Sequence, residues 1–208
     1  MAVVNYLEHH GHYPPAWIAD KNGKPLLSWR VLILPYLDGQ ELYEQFDLTE
    51  PWDGPNNSKL LDQMPSPYRL HTIKDQHKTA TNYVAVVGEN TLWQGAEPRS
   101  PNFVKDGESN TLLVAEYVGH PIPWTKPEDL LFDKMDLAVD SDKGICSVLT
   151  PPAFVAADGM VRYLPTTTPP DTVRALLTAQ ADDNDKFPPG RQFPSIHDGR
   201  QRPRKDAR

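Results

Sequence analysis

The chain has 208 residues, a hydrophobic fraction of 38%, 22 prolines and a formal net charge of −7. The length suits one domain with a real core, and so much proline predicts many short elements joined by defined turns. The acidic balance argues against nucleic acid as the main partner, and a lone cysteine, Cys146, excludes an internal disulfide framework and a cysteine-built zinc site.

Val3, Val4 and Leu7 recur at helical spacing and Gly11 stops the run, which predicts a helix over residues 3–10. This start has no basic stretch and no long apolar centre, so it does not read as a signal peptide. Trp17 to Asp20 reads as extended, followed by a tight turn at Asn22-Gly23. The most apolar stretch runs from Leu26 to Phe46. A bilayer span needs about 20 mostly apolar residues, whereas here only Val31 to Leu34 is uninterrupted, with Arg30 and Asp38 flanking it. The stretch therefore reads as a core helix capped by Ser28 and broken at Pro35, with a second short helix from Gln40 to Phe46. Trp29, Leu32, Ile33, Tyr36 and Leu37 are expected to face the core.

A short helix over Asn57 to Met64 follows. The pattern then changes to β-branched and aromatic runs bounded by Gly, Pro or Asp, in "TNYVAVVGE", "SNTLLVAEYVG", "AFVAADG" and "MVRYLP". Asp158-Gly159 reads as a two-residue hairpin turn. A last helix lies in "PPDTVRALLTAQA", with Pro170 near its first turn and Asp171 favoured by the macrodipole. Helices first, then strands, then a closing helix predict an α+β domain over residues 1–181, with short helices packed on an antiparallel sheet. Residues 182–208 are proline-rich and charged and end in Arg200, Arg202, Arg204, Lys205 and Arg208. They read as a flexible tail, the functional alternative being a basic arm for an acidic partner.

Residue constellations that could carry chemistry are sparse. Glu8, His9, His10 and His12 are the densest ionisable group, but adjacent histidines point to different faces and the spacing of a metalloprotease helix is absent. Asp140, Asp142 and Gly144, and Asp182, Asp183, Asn184 and Asp185, lack the closing Glu of a calcium loop and read as acidic turns. Cys146 has no neighbouring His, and no nucleophile elbow or phosphate loop is present. Ser109 and Asn110 follow Asp106-Gly107 and read as local turn residues. Of the tryptophans at 17, 29, 52, 93 and 124, Trp52 and Trp93 could line a sugar-type pocket, against the plainer reading of packing. An enzyme would need His71 or His120 beside a carboxylate and a nucleophile in one cleft. These residues alone predict a soluble α+β domain with no catalytic, metal or cofactor site.

The segment from Asn5 to Leu61 resembles the prepilin-like family of planctomycetes called domain of unknown function 1559. Asn5-Tyr6 to Pro14-Pro15, Leu27 to Val31, Leu34 to Leu37, Leu42 to Phe46 and Pro51-Trp52-Asp53 carry the resemblance. Thr81-Asn82-Tyr83, Asp106-Gly107 with Ser109-Asn110-Thr111, Glu116, Pro123-Trp124-Thr125 and Asp158-Gly159 continue it in order. Two departures stand out: Val148 replaces a family His, and Leu70-His71 replaces a Cys-Pro pair after Tyr68-Arg69.

The resemblance implies a pseudopilin-like head, with this chain beginning partway through the family's N-terminal helix. It further implies a non-enzymatic role by contact with other pilin-like or envelope proteins in a secretion-type assembly. Membrane attachment would come only through a preceding helix. The location would be periplasmic or extracellular if a leader was trimmed, and cytoplasmic if the native chain starts at Met1. The alternative is a soluble sugar- or metal-binding module on the same scaffold.

Overall fold

The computed structural model describes residues 2–73, 77–180 and 193. In chain order come α1 (Ala2–His10), β1 (Trp17–Ala19), β2 (Pro25–Ser28), α2 (Trp29–Leu32), α3 (Gln40–Tyr43), β3 (Ala80–Thr81), β4 (Tyr83–Val84) and β5 (Val86–Val87). Then follow β6 (Leu112–Glu116), β7 (Ile122–Pro123), β8 (Leu130–Leu131), β9 (Ala153–Ala156), β10 (Val161–Tyr163) and α4 (Pro170–Leu177). The fold is α+β, and the described residues group into two compact units.

The first unit comprises Met1–Asn82, Trp93–Pro101 and Pro121–Asp129. Its helix α1 buries Ala2, Val3 and Tyr6, with Val4 and Leu7 half-buried. Gly11 ends the helix at φ +76°, in the left-handed conformation that glycine adopts without strain, while its N–H reaches Leu7 O at 2.8 Å. The β1–β2 hairpin turns as expected, because Asp20 Oδ1 accepts the N–H groups of Asn22 and Lys24 and Gly23 takes φ +82°.

Ser28 caps α2 by accepting the Arg30 N–H, and the break at Pro35 falls as expected. Beyond it the chain forms a 3-10 turn, Leu34–Leu37, in which Pro35 loses nothing because the first N–H groups are unpaired anyway. The buried set differs from the expected one. Trp29 and Ile33 are buried, but Leu32, Tyr36 and Leu37 are half-exposed, and Arg30, Val31 and Leu34 take the interior. For Tyr36 and Leu37 the reason is the change to a 3-10 turn, which rotates the side chains within it relative to the preceding helix. The expected helix from Asn57 is a 3-10 helix, Asn57–Gln63.

The second unit comprises Tyr83–Leu92, Asn102–His120 and the chain from Leu130 onward. Its main sheet is antiparallel in the order β10-β9-β6-β4, and β6 is buried along its whole length. A parallel pair, β5–β8, accompanies it. Helix α4 starts at Pro170 and buries Val173, Leu176 and Leu177.

The turn between β9 and β10 has three residues rather than two. Gly159 N–H reaches Ala156 O at 2.9 Å, and Ala156 N–H reaches Met160 O at 3.0 Å, so Ala157, Asp158 and Gly159 form the loop. Gly159 sits at φ +79°, the left-handed bulge position that closes such hairpins. The expected tail, 182–208, lies outside the described residues apart from Phe193, which is half-buried and edge-on to Phe154 at 5.3 Å.

Candidate functional site

The strongest polar constellation in the first unit is spent on its own interior. Arg30 is fully buried, and its Nη2 donates to Asp129 Oδ1 at 2.6 Å. Its Nη1 donates to Ser28 Oγ at 2.7 Å, and its guanidinium stacks 4.7 Å from the Trp29 ring centroid. Trp29 Nε1 donates to Asp129 Oδ2 at 3.2 Å, and the Tyr68 hydroxyl donates to the Arg30 carbonyl at 2.6 Å. Burial pushes the Tyr68 hydroxyl well above its ordinary range, with the Arg30 charge acting the other way. Short α2 exists to aim this cation inward: a buried charge is tolerated only when paired and hydrogen-bonded. Nothing in the apolar run announced Asp129 as its partner.

A second built feature is the loop from Asp47 to Asn57. Asn57 is buried; its Nδ2 donates to Asp47 O at 2.8 Å and Glu50 O at 3.0 Å, and its Oδ1 accepts from Asp47 N at 3.0 Å. The Glu50 carboxylate accepts from the N–H groups of Asn56 and Asn57 and from Asn56 Nδ2. Desolvation opposes its ionisation, but those hydrogen bonds outweigh it and hold the carboxyl below its usual range. Asp47 is lowered too, first by the Thr49 hydroxyl and then by the Thr49 N–H. Trp52, half-exposed on this loop, has Lys126 Nζ 5.8 Å from its ring centroid.

The outward-facing candidate is a face built by α1, the 3-10 turn Leu34–Leu37 and α3. Val4 and Leu7, Tyr36 and Leu37, and Leu42 and Tyr43 are all half-exposed there. At its edge the Tyr6 and His10 rings stack at 4.1 Å, and Tyr36 Oη lies 3.1 Å from His10 Nε2. The structure thus gathers His9, His10 and His12 with Tyr6 and Tyr36. Sequence spacing showed the histidines, but the tyrosines arrive only through the 3-10 turn. Among the described residues no group of three or more His, Cys, Asp or Glu is placed to hold a metal ion.

The remaining residues singled out from the sequence are scattered. Asp140 takes φ +74° in a turn where its N–H reaches Ile145 O at 2.7 Å, Asp142 is exposed, and Gly144 N–H closes on Ser141 O. Asp182, Asp183, Asn184 and Asp185 lie outside the described residues. In the second unit Cys146 is 3% exposed, and burial pushes its thiol up, away from the reactive thiolate. His120 Nδ1 lies 2.5 Å from the Tyr117 hydroxyl, and His71 is exposed in the first unit. Ser109 is exposed in a 3-10 turn whose Asn110 Nδ2 donates to Asp106 O at 3.0 Å. Trp29, Trp93 and Trp124 are core residues, which removes Trp93 and Trp124 from any open pocket.

Comparison with known families decides the class. The family model described as "Protein of unknown function (DUF1559)" matches residues 1–200. The chain belongs to this family. None of the curated proteins and none of the solved structures compared with it matches. As a member of the domain of unknown function 1559 family, the protein has a class but no inherited activity. The residues quoted for the resemblance fall on structural positions here: Trp29 and Trp124 in the core, Gly159 at the bulge, and Glu116 accepting the Ala153 N–H at 2.9 Å. No helix among the described residues is long and apolar enough to cross a membrane.

Proposed function

We propose that this protein is a non-enzymatic, pseudopilin-like head that works by protein–protein contact in a cell-envelope or secretion assembly. The observation that carries this reading is the face of α1, the 3-10 turn and α3, where half-exposed Val4, Leu7, Tyr36, Leu37, Leu42 and Tyr43 come together. Partly exposed apolar and aromatic side chains on neighbouring elements have the composition of a contact patch. The large ionisable groups support the same reading, since Arg30, Asp129 and Glu116 hold the fold together. Its place of action on this reading is periplasmic or extracellular, among pilin-like or other envelope proteins.

A Leu37→Asp and Leu42→Asp double variant tests the reading, because neither side chain is fully buried. The variant should keep its melting temperature and lose its envelope partners in a pull-down from the native cell envelope. Unchanged partners would sink the reading.

One observation favours a second reading. Trp52 stands half-exposed on a loop fixed by Asn57 and carries Lys126 beside its ring, which suits a sugar-binding surface. Quenching of tryptophan fluorescence by an oligosaccharide, lost in Trp52→Ala, would move that reading to first place.

A further inference from the structure

His10 sits at the centre of an aromatic cluster that closes the C-terminal end of α1. Its ring stacks on Tyr6 at 4.1 Å and 28°, and lies 5.0 Å from the His9 ring and 5.9 Å from the His12 ring. Tyr36, from the 3-10 turn, places its hydroxyl 3.1 Å from His10 Nε2. Neutral imidazole can accept the Tyr36 O–H at Nε2, whereas imidazolium has no lone pair to offer and must donate instead.

We propose that this cluster makes the docking of α1 on the head sensitive to acid. The groups that face His10 are His9 and Tyr6 on α1, His12 beyond it and Tyr36 on the turn, with Tyr43 of α3 acting on Tyr6. The charges that lower the basicity of His10 are those of the neighbouring imidazoles, His9 and His12. Partial burial, then His9 and His12, hold His10 below the ordinary histidine range. The helix macrodipole favours a cation at this end and works against that lowering.

The direction of the linkage follows. A histidine that is less basic when docked binds its proton more readily once α1 is released. Docking is therefore fully stabilised above about pH 6.5 and weakens as the pH falls through that value. The effect at an exposed ring is modest, yet α1 has only nine residues and is too short to persist alone in water. A small loss of docking thus raises the fraction of time the helix is undocked. This inference rests on how α1 is held and stands apart from the identity of any partner.

The test is amide hydrogen exchange on the full chain at about pH 8 and about pH 5, corrected for intrinsic exchange, with β6 as internal reference. Protection of the α1 amides should fall roughly threefold or more at the lower pH while β6 keeps its protection. In His10→Phe, which keeps a ring over Tyr6, and in His10→Gln, which keeps a polar atom toward Tyr36, the α1 response should flatten. Equal α1 protection at both pH values overturns the proposal. So does an undiminished response in both variants, or a parallel loss in β6, which would mean general acid unfolding.

Discussion

Arg30 and Asp129 meet at 2.6 Å with side chains 0% and 1% exposed, joining two stretches of the first unit 99 residues apart in sequence. Removing one member leaves a buried charge unpaired, which costs about 3–5 kcal/mol. Asp129→Ala should lose stability of that order in denaturant unfolding. The double variant Arg30→Met with Asp129→Leu should lose less than either single variant, since no orphan charge remains. A double variant at least as unstable as the sum of the two singles would show that the pair is held for its own attraction.

Thr125 offers the opposite case. Its residue is fully buried and its hydroxyl has no hydrogen-bond partner among the described residues. An unsatisfied buried hydroxyl costs about 1–3 kcal/mol, so Thr125→Val should be neutral or stabilising. Thermal unfolding checks this, and a clear drop in midpoint would reveal a partner for Oγ1.

Asn57 holds the 47–57 loop closed through both ends of its amide. Asn57→Ala should cost about 2–3 kcal/mol, the loss of more than one buried hydrogen bond. Exchange should quicken at the Asp47 N–H first, because that amide donates to Asn57 Oδ1. Uniform quickening across the unit would show that the loop has no separate stability.

The β9–β10 turn couples conformation to charge. Replacing Gly159 by Val forces a β-branched residue to φ +79° and should cost about 1–3 kcal/mol in thermal unfolding. Beside it, Asp158 accepts from both Arg162 nitrogens and from the Met160 N–H. Desolvation raises its pKa, but Arg162 and the Met160 N–H outweigh that and hold the carboxyl below its ordinary value. Its contribution is therefore present above about pH 4 and is lost as the pH falls through the lower, folded value. The stability gap between wild type and Asp158→Asn should close over that acid range. A gap that persists at the lowest pH would mean that the carboxylate charge is not its source.

Local punctuation made much of the fold legible in advance. Gly11, Asn22-Gly23, Ser28, Pro35 and Pro170 each act within a few residues, so each boundary could be read from its own neighbourhood. The side-chain assignment after Pro35 was not legible, because the choice between an α and a 3-10 turn depends on what Leu34 packs against. The three-residue loop at Gly159 escaped for a similar reason: Asp-Gly serves both hairpin types, and the register of β9 on β10 selects between them. Of the candidate face, the histidines were visible in the sequence, but Tyr36 and Tyr43 join them only once three short elements pack. The Arg30–Asp129 pair lay out of reach altogether, since an ion pair across 99 positions leaves no local trace.

The contact reading of the α1–α3 face is most directly tested by a photo-crosslinking residue placed at Leu37 in the native cell envelope, with a matched probe at exposed Lys59 as control. A discrete protein adduct from position 37 and none from position 59 is the expected result. Equal labelling from both positions, or none from position 37 with the protein present at its native level, would contradict it.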